Sequence, residues 1–170
     1  MSKIFIALTP SSDFSDLFYG LKEKQNKFLT KGSKVNWSNQ NQLHITLNYI
    51  GQMEPEQKEE MFESFYMENF SKDLPIEILS LNYFPNDTGQ VLVANINLSP
   101  RLQKLYDRVQ AIVARIGFGM SLRNFKPHIS LARFKQKNRP FSEIVELESP
   151  IIININGVDV YESFFKSGKT

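Results

Sequence analysis

Residues 126–134 read KPHISLARF, and residues 43–51 read LHITLNYIG. Each holds a histidine, an apolar residue, a hydroxyl residue and a leucine, in that order. The 170-residue chain has two histidines in all, His44 and His128, so both fall in the same small phrase. Side chains alternate between the faces of a strand. In the first phrase Leu43, Ile45, Leu47 and Tyr49 are therefore expected on the core face, with His44, Thr46 and Asn48 opposite. In the second, Ile129 and Leu131 are expected in the core, with His128 and Ser130 pointing away from it.

The surroundings of the two phrases match in order. KIFIALT (3–9) reads as a strand. Ser11 or Ser12 offers a helix cap, and Phe14, Leu17, Phe18, Leu21 and Phe28 follow at helical spacing, which predicts a helix over 13–29 before the strand carrying His44. VLVANIN (91–97) is a strand, and Ser99-Pro100 is a cap followed by proline at the first helical position. The stripe Leu102, Leu105, Val109, Ile112, Val113 and Ile116 then predicts a helix stopped at Gly117, before the strand carrying His128. Between these units, Glu54-Pro55 opens a further helix, 75–84 is extended, and PNDTGQ (85–90) reads as a hairpin turn. IIININGVDVYES (151–163) is strand-rich. A duplicated strand–helix–strand unit with extra strands predicts an α+β domain spanning 1–170, with two sheets or lobes.

Composition narrows the function classes. Lys plus Arg number 20 and Asp plus Glu 18, a net charge of +2. That is too mild for bulk binding to a nucleic-acid backbone, although a local pocket for a small anion or a nucleic-acid end needs few cations. With no cysteine, disulfides, thiolate metal sites and a cysteine nucleophile are excluded. The N-terminal apolar run meets Pro10 too soon for a secretory signal, and no stretch approaches a membrane span. A cytoplasmic monomer is the expectation.

If the two units are related by an approximate two-fold, both His–hydroxyl pairs meet across one cleft. Imidazole titrates near 6.5, so one ring can take a proton from an attacking oxygen while the other gives one to a departing oxygen. The hydroxyls of Thr46 and Ser130 suit the non-bridging oxygens of a phosphoryl group, where charge builds. A single strand histidine is more often a packed or solvated residue than a catalyst. Two with the same hydroxyl neighbour and the same strand phase are harder to dismiss. A two-histidine metal site lacks an obvious third ligand, because neither phrase holds a carboxylate.

At this point the chain resembles the two-histidine (2H) phosphoesterases, and among them the LigT-like RNA 2′,3′-cyclic phosphodiesterases. Their paired His-x-Thr/Ser-x motifs match His44-Ile45-Thr46-Leu47 and His128-Ile129-Ser130-Leu131. KIFIAL is similar to the family's opening strand, Trp37 precedes the first motif at the usual distance, and FKPHISLARF fits the phrase around the second. VYESFFKSG (160–168) is similar to the terminal strand with its serine and later glycine. Ser130 replaces the commoner threonine, and Asn36 stands where an arginine is frequent.

The resemblance implies a bilobal fold with the cleft between pseudo-symmetric lobes. It implies metal-independent hydrolysis of a terminal 2′,3′-cyclic phosphate to a 2′-phosphate, in some members with 2′–5′ RNA ligation, and no cofactor. His44 would be the acid and His128 the base, or the reverse. Arg133 matches the family's phosphate-binding arginine, although five residues from His128 is an odd step that would turn it to the wrong face of an ideal strand. Phe5 is expected to line the cleft, stack a base or sit in the core. Lys126, Lys135, Lys137 and Arg139 are either a rim for an RNA end or a solvated face. The partners implied are RNA ends or nucleoside 2′,3′-cyclic phosphates. The competing readings are a 2H enzyme for 2′–5′ oligoadenylate or ADP-ribose 1″,2″-cyclic phosphate, and a module that binds RNA ends without turnover.

Overall fold

Ser99 accepts a hydrogen bond from the Leu102 backbone N–H at 3.2 Å and Pro100 follows it, so the chain enters a helix at once. This helix, Pro100–Arg115, buries Leu102, Val109, Ile112 and Val113. Each such side chain contributes about 1.5–3 kcal/mol on burial. The computed structural model describes residues 2–119, 124–135 and 139–164. The elements in chain order are β1 (Ser2–Pro10), α1 (Asp13–Asn26), β2 (Asn36–Trp37), β3 (Ile45–Gly51), α2 (Pro55–Tyr66), β4 (Ile76–Phe84), β5 (Val91–Ile96), α3 (Pro100–Arg115), β6 (His128–Arg133), β7 (Ile151–Ile153) and β8 (Ile155–Phe164). The first helix ends three residues before the predicted 29, and the C-terminal strand region breaks at Asn154.

The two expected sheets are one. The order is β7-β4-β5-β6-β3-β1-β8, with β2 paired to the end of β6. Apart from β7 at one edge, this order is symmetric about the seam between β6 and β3. β3, β1 and β8 on one side correspond to β6, β5 and β4 on the other, and every pairing is antiparallel. Only one residue pair, Ile45 with Ile129, joins β3 to β6. The two lobes are thus halves of a single sheet that barely touch at their seam. Leu8, Ile45, Leu47, Ile129 and Leu131 share one apolar cluster with Phe14 and Phe18 of α1, Met61 of α2 and Val109 of α3. The helices therefore cover the apolar face, and the histidines lie on the other.

Strict alternation fails at the same place in both halves. Along β3, Thr46 pairs with Ala7 and Asn48 with Ile6, which leaves Leu47 without a partner. Along β6, Ser130 pairs with Val93 and Ala132 with Leu92, which leaves Leu131 without one. Each leucine is the extra residue of a β-bulge, and a bulge re-aims every side chain beyond it. Leu47 and Asn48 are consecutively buried, as are Leu131 and Ala132. The expectation that Asn48 lies with His44 and Tyr49 in the core is corrected by this: Asn48 is buried, and Tyr49 is 58% exposed.

Both bulges are held from outside their own ladder. Gln110 of α3 donates from Nε2 to the Leu47 carbonyl (3.1 Å) and accepts from Asn48 Nδ2 (2.8 Å). The backbone N–H of Ser38 donates to the Leu131 carbonyl (2.8 Å), and its hydroxyl to that of Ser130 (2.8 Å).

Candidate active site

Ile45 and Ile129 face each other across the seam in antiparallel register. One step further each way, His44 lies towards Ser130 and Thr46 towards His128. Each imidazole is therefore set against the hydroxyl of the other motif, and the four side chains share the face opposite the core.

The two rings are fixed in the same way. Nδ1 of His44 donates to the Gln42 carbonyl at 2.6 Å, and Nδ1 of His128 to the Lys126 carbonyl at 2.8 Å. A carbonyl oxygen has no proton to give, so Nδ1 carries the hydrogen in both rings. Nε2 is then the atom left to exchange protons. Each ring is also backed by aromatic side chains. Phe5 lies 4.9 Å from His44 and 5.1 Å from Tyr161, between ring centroids, and Phe84 stacks on His128 at 4.1 Å. Burial is the main cause that lowers both imidazoles below the ordinary 6.5, against the carbonyl hydrogen bond, which raises each. The Arg133 guanidinium lowers both further, and the charge of His128 lowers His44.

Register makes the halves comparable residue by residue. Tyr49 and Arg133 each stand five positions after a histidine, and they pair with Phe5 and Val91 respectively. Phe5 pairs outward with Tyr161, and Val91 with Phe84. The two-fold thus relates Tyr49 to Arg133, Phe5 to Val91 and Tyr161 to Phe84. The first half is aromatic where the second has a cation and a valine. The open cleft, about 580 Å³, lies along the first half. Its walls include Phe5, His44, Thr46, Tyr49 and Tyr161, with Ser130 and Arg133 reaching in from the second half. His128 does not wall this volume, yet its charge depresses His44, so the two rings stand within electrostatic reach at the seam.

No family model matches the chain. An RNA 2′,3′-cyclic phosphodiesterase of Aeropyrum pernix is 31% identical over 95 residues, 55% of this chain and 53% of that protein. The match thus spans about half the relative's length. A protein of the same name from Thermotoga maritima is 22% identical over 142 residues, 81% of this chain and 75% of its own length. The crystal structure of Escherichia coli LigT with 3′-AMP superposes with a TM-score of 0.68 at 19% identity, covering 99% of this chain and 91% of LigT. The chain has the fold of LigT.

Within the LigT-like frame, the residues singled out from sequence separate clearly. His44, Thr46, Ser130, Arg133 and Phe5 border one cleft. The odd step to Arg133 is resolved by the Leu131 bulge, which returns that side chain to the histidine face. Trp37 packs between Phe18 and Phe141 and donates from Nε1 to Asn26 Oδ1 at 3.2 Å. Arg139 is turned onto the Tyr83 ring and the Asp87 carbonyl. Lys126 and Lys135 are exposed. Lys137 and the terminal Gly168 lie outside the described residues. Among the described residues no group of three or more His, Asp or Glu could hold a metal ion, and no helix is long and apolar enough to cross a membrane.

Sequence reading missed Tyr49, Tyr161 and Phe84. A signal for Tyr49 was present: aligning the two phrases on their histidines sets it opposite Arg133. Phe84 and Tyr161 come from outer strands, and nothing local to either links it to a histidine.

Proposed function

We propose that this protein, acting through residues 1–170 as one domain, opens terminal 2′,3′-cyclic phosphates on RNA or nucleosides without a metal. The carrying observation is the crossed arrangement of two imidazoles and two hydroxyls on one face, with both Nδ1 atoms tied to carbonyls and both Nε2 atoms available. Relatives bearing the name RNA 2′,3′-cyclic phosphodiesterase support the substrate class.

The asymmetry of the cleft supports a direction. In-line displacement places the nucleoside on the side of the departing ribose oxygen, and the roomy aromatic wall is on the His44 side. His128 Nε2 then takes a proton from water as its oxygen bonds to phosphorus. The bond from phosphorus to O3′ breaks, and protonated His44 gives its Nε2 hydrogen to O3′. The products are a 2′-phosphate and a free 3′-hydroxyl, with the proton count balanced. Thr46, Ser130 and Arg133 donate to the non-bridging oxygens, where each well-placed donor is worth roughly 10²–10³ in rate. The Tyr49 face, 58% exposed, borders the room for the nucleoside. An RNA 5′-hydroxyl in place of water would form a 2′–5′ linkage by the same two proton transfers.

The test is incubation of purified protein with a nucleoside 2′,3′-cyclic phosphate in EDTA, with identification of the product isomer. A 2′-phosphate formed by the wild type, and by neither His44→Ala nor His128→Ala, is expected. Tight binding without turnover would replace the enzyme with a binding module, and loss of turnover in EDTA would overturn the metal-independent scheme.

A further inference from the structure

The ring behind His128 differs from the rings behind His44 in a way that the pseudo-symmetry makes legible. In the first half Phe5, on the strand next to the histidine, takes the place against the imidazole, and Tyr161 on the outer strand packs on Phe5 and lies 6.1 Å from His44. In the second half the position of Phe5 is Val91. A valine has no ring to offer. The outer-strand aromatic, Phe84, crosses that gap and lies on His128 itself, at 4.1 Å and 26° between planes, closer than Phe5 or Tyr161 comes to His44.

We propose that Phe84 is the positioning residue for His128, clamping the imidazole between its ring and the Lys126 carbonyl so that Nε2 keeps one direction and one tautomer. The Nδ1–H···O bond fixes one atom of the ring, but with nothing against its face the plane can swing until that bond breaks and the proton is free to move to Nε2. A flat face stacked at 4.1 Å removes the remaining freedom. The same ring shields one face of the imidazole from water, in keeping with burial as the leading cause of its lowered affinity for protons. Among the described residues, the charged side chain that acts on His128 is Arg133 on β6, and the titratable group across the seam is His44, which His128 lowers in turn. Its partner on β5 is the neutral Asn95, and β4 contributes Phe84. The catalytic meaning of this clamp rests on the base role given to His128 above; the clamp itself does not.

With only two histidines, the imidazole nitrogen spectrum contains two rings, and each can be followed by NMR titration. In Phe84→Leu, which keeps apolar bulk without a flat face, His128 is expected to lose its single tautomer and titrate at higher pH, with His44 nearly unmoved. Phe84→Tyr, the residue type that the first half has at this place, should restore both. In hydrolysis of a nucleoside 2′,3′-cyclic phosphate, Phe84→Leu should lower kcat about tenfold or more with KM within about twofold, and move the rising limb of the pH profile upward. An unchanged His128 titration and tautomer in Phe84→Leu would overturn the proposal whatever the kinetics. If the wild type proves inactive, the reaction scheme fails while the titration still decides the clamp. If Phe84→Leu does not fold, Phe84→Trp takes its place: a flat ring should hold the tautomer, and a mixed tautomer would overturn the clamp.

Discussion

Replacing Gln110 with leucine removes the amide that holds the Leu47 bulge. Gln110 and Asn48 are both at least nine-tenths buried. The change takes the amide partner from two groups in that interior, the Leu47 carbonyl and Asn48 Nδ2. A buried polar group left unpaired costs about 1–3 kcal/mol, so Gln110→Leu should lose about 4 kcal/mol. For a chain of this size each kcal/mol moves the melting midpoint by about 2–4 °C, which gives a fall of about 8–16 °C. The double variant Asn48→Leu/Gln110→Leu orphans only the carbonyl. It should recover about 1–3 kcal/mol relative to the single change, although it carries one more substitution. Urea unfolding followed by circular dichroism measures both. A single variant within about 0.5 kcal/mol of wild type, or a double variant less stable than the single, would refute the reasoning that this amide pair holds the bulge.

Two further predictions follow from the site. Arg133→Ala should cut kcat by roughly 10²–10³, and NMR should show both imidazoles titrating at higher pH, because the guanidinium lowers each of them. Stability should also respond to the histidines. Their folded affinities for protons lie below the unfolded 6.5, so the unfolded chain binds more protons under that pH. The contribution is complete above 6.5 and is lost as pH falls through the folded values. Unfolding free energies at pH 7.5 and 5.5 should therefore differ more for wild type than for His44→Asn/His128→Asn.

Much of this arrangement can be read from the chain because periodicity is local. Apolar spacing sets α3 with its stripe and proline start, and the β-branched residues mark β1 and β5. The paired phrases place both histidines on strands, in phase with a hydroxyl. What escaped is whatever a single inserted residue or a distant strand decides. Leu47 and Leu131 look like ordinary members of an alternating pattern. Nothing in ITLNY announces that the partner strand skips one residue, so Asn48 and Tyr49 exchange faces unseen. The joining of the two units into one sheet depends on the lone pair Ile45–Ile129, which has no sequence mark. Phe84 lies 44 residues from His128 by number (128 minus 84) and meets it only through two intervening ladder registers.

The mirror order of the strands bears on how such a molecule can arise. A lone strand–helix–strand unit with its outer strand would own one imidazole, one hydroxyl and a bare inner edge, the kind of edge that invites pairing with another chain. Two copies meeting at that edge would satisfy it and, in the same event, set each imidazole against the hydroxyl of the other copy. Once fused in tandem, the copies could drift apart at matching places, one keeping a tyrosine where the other took an arginine. A symmetrical scaffold could then hold a substrate whose two ends are unlike.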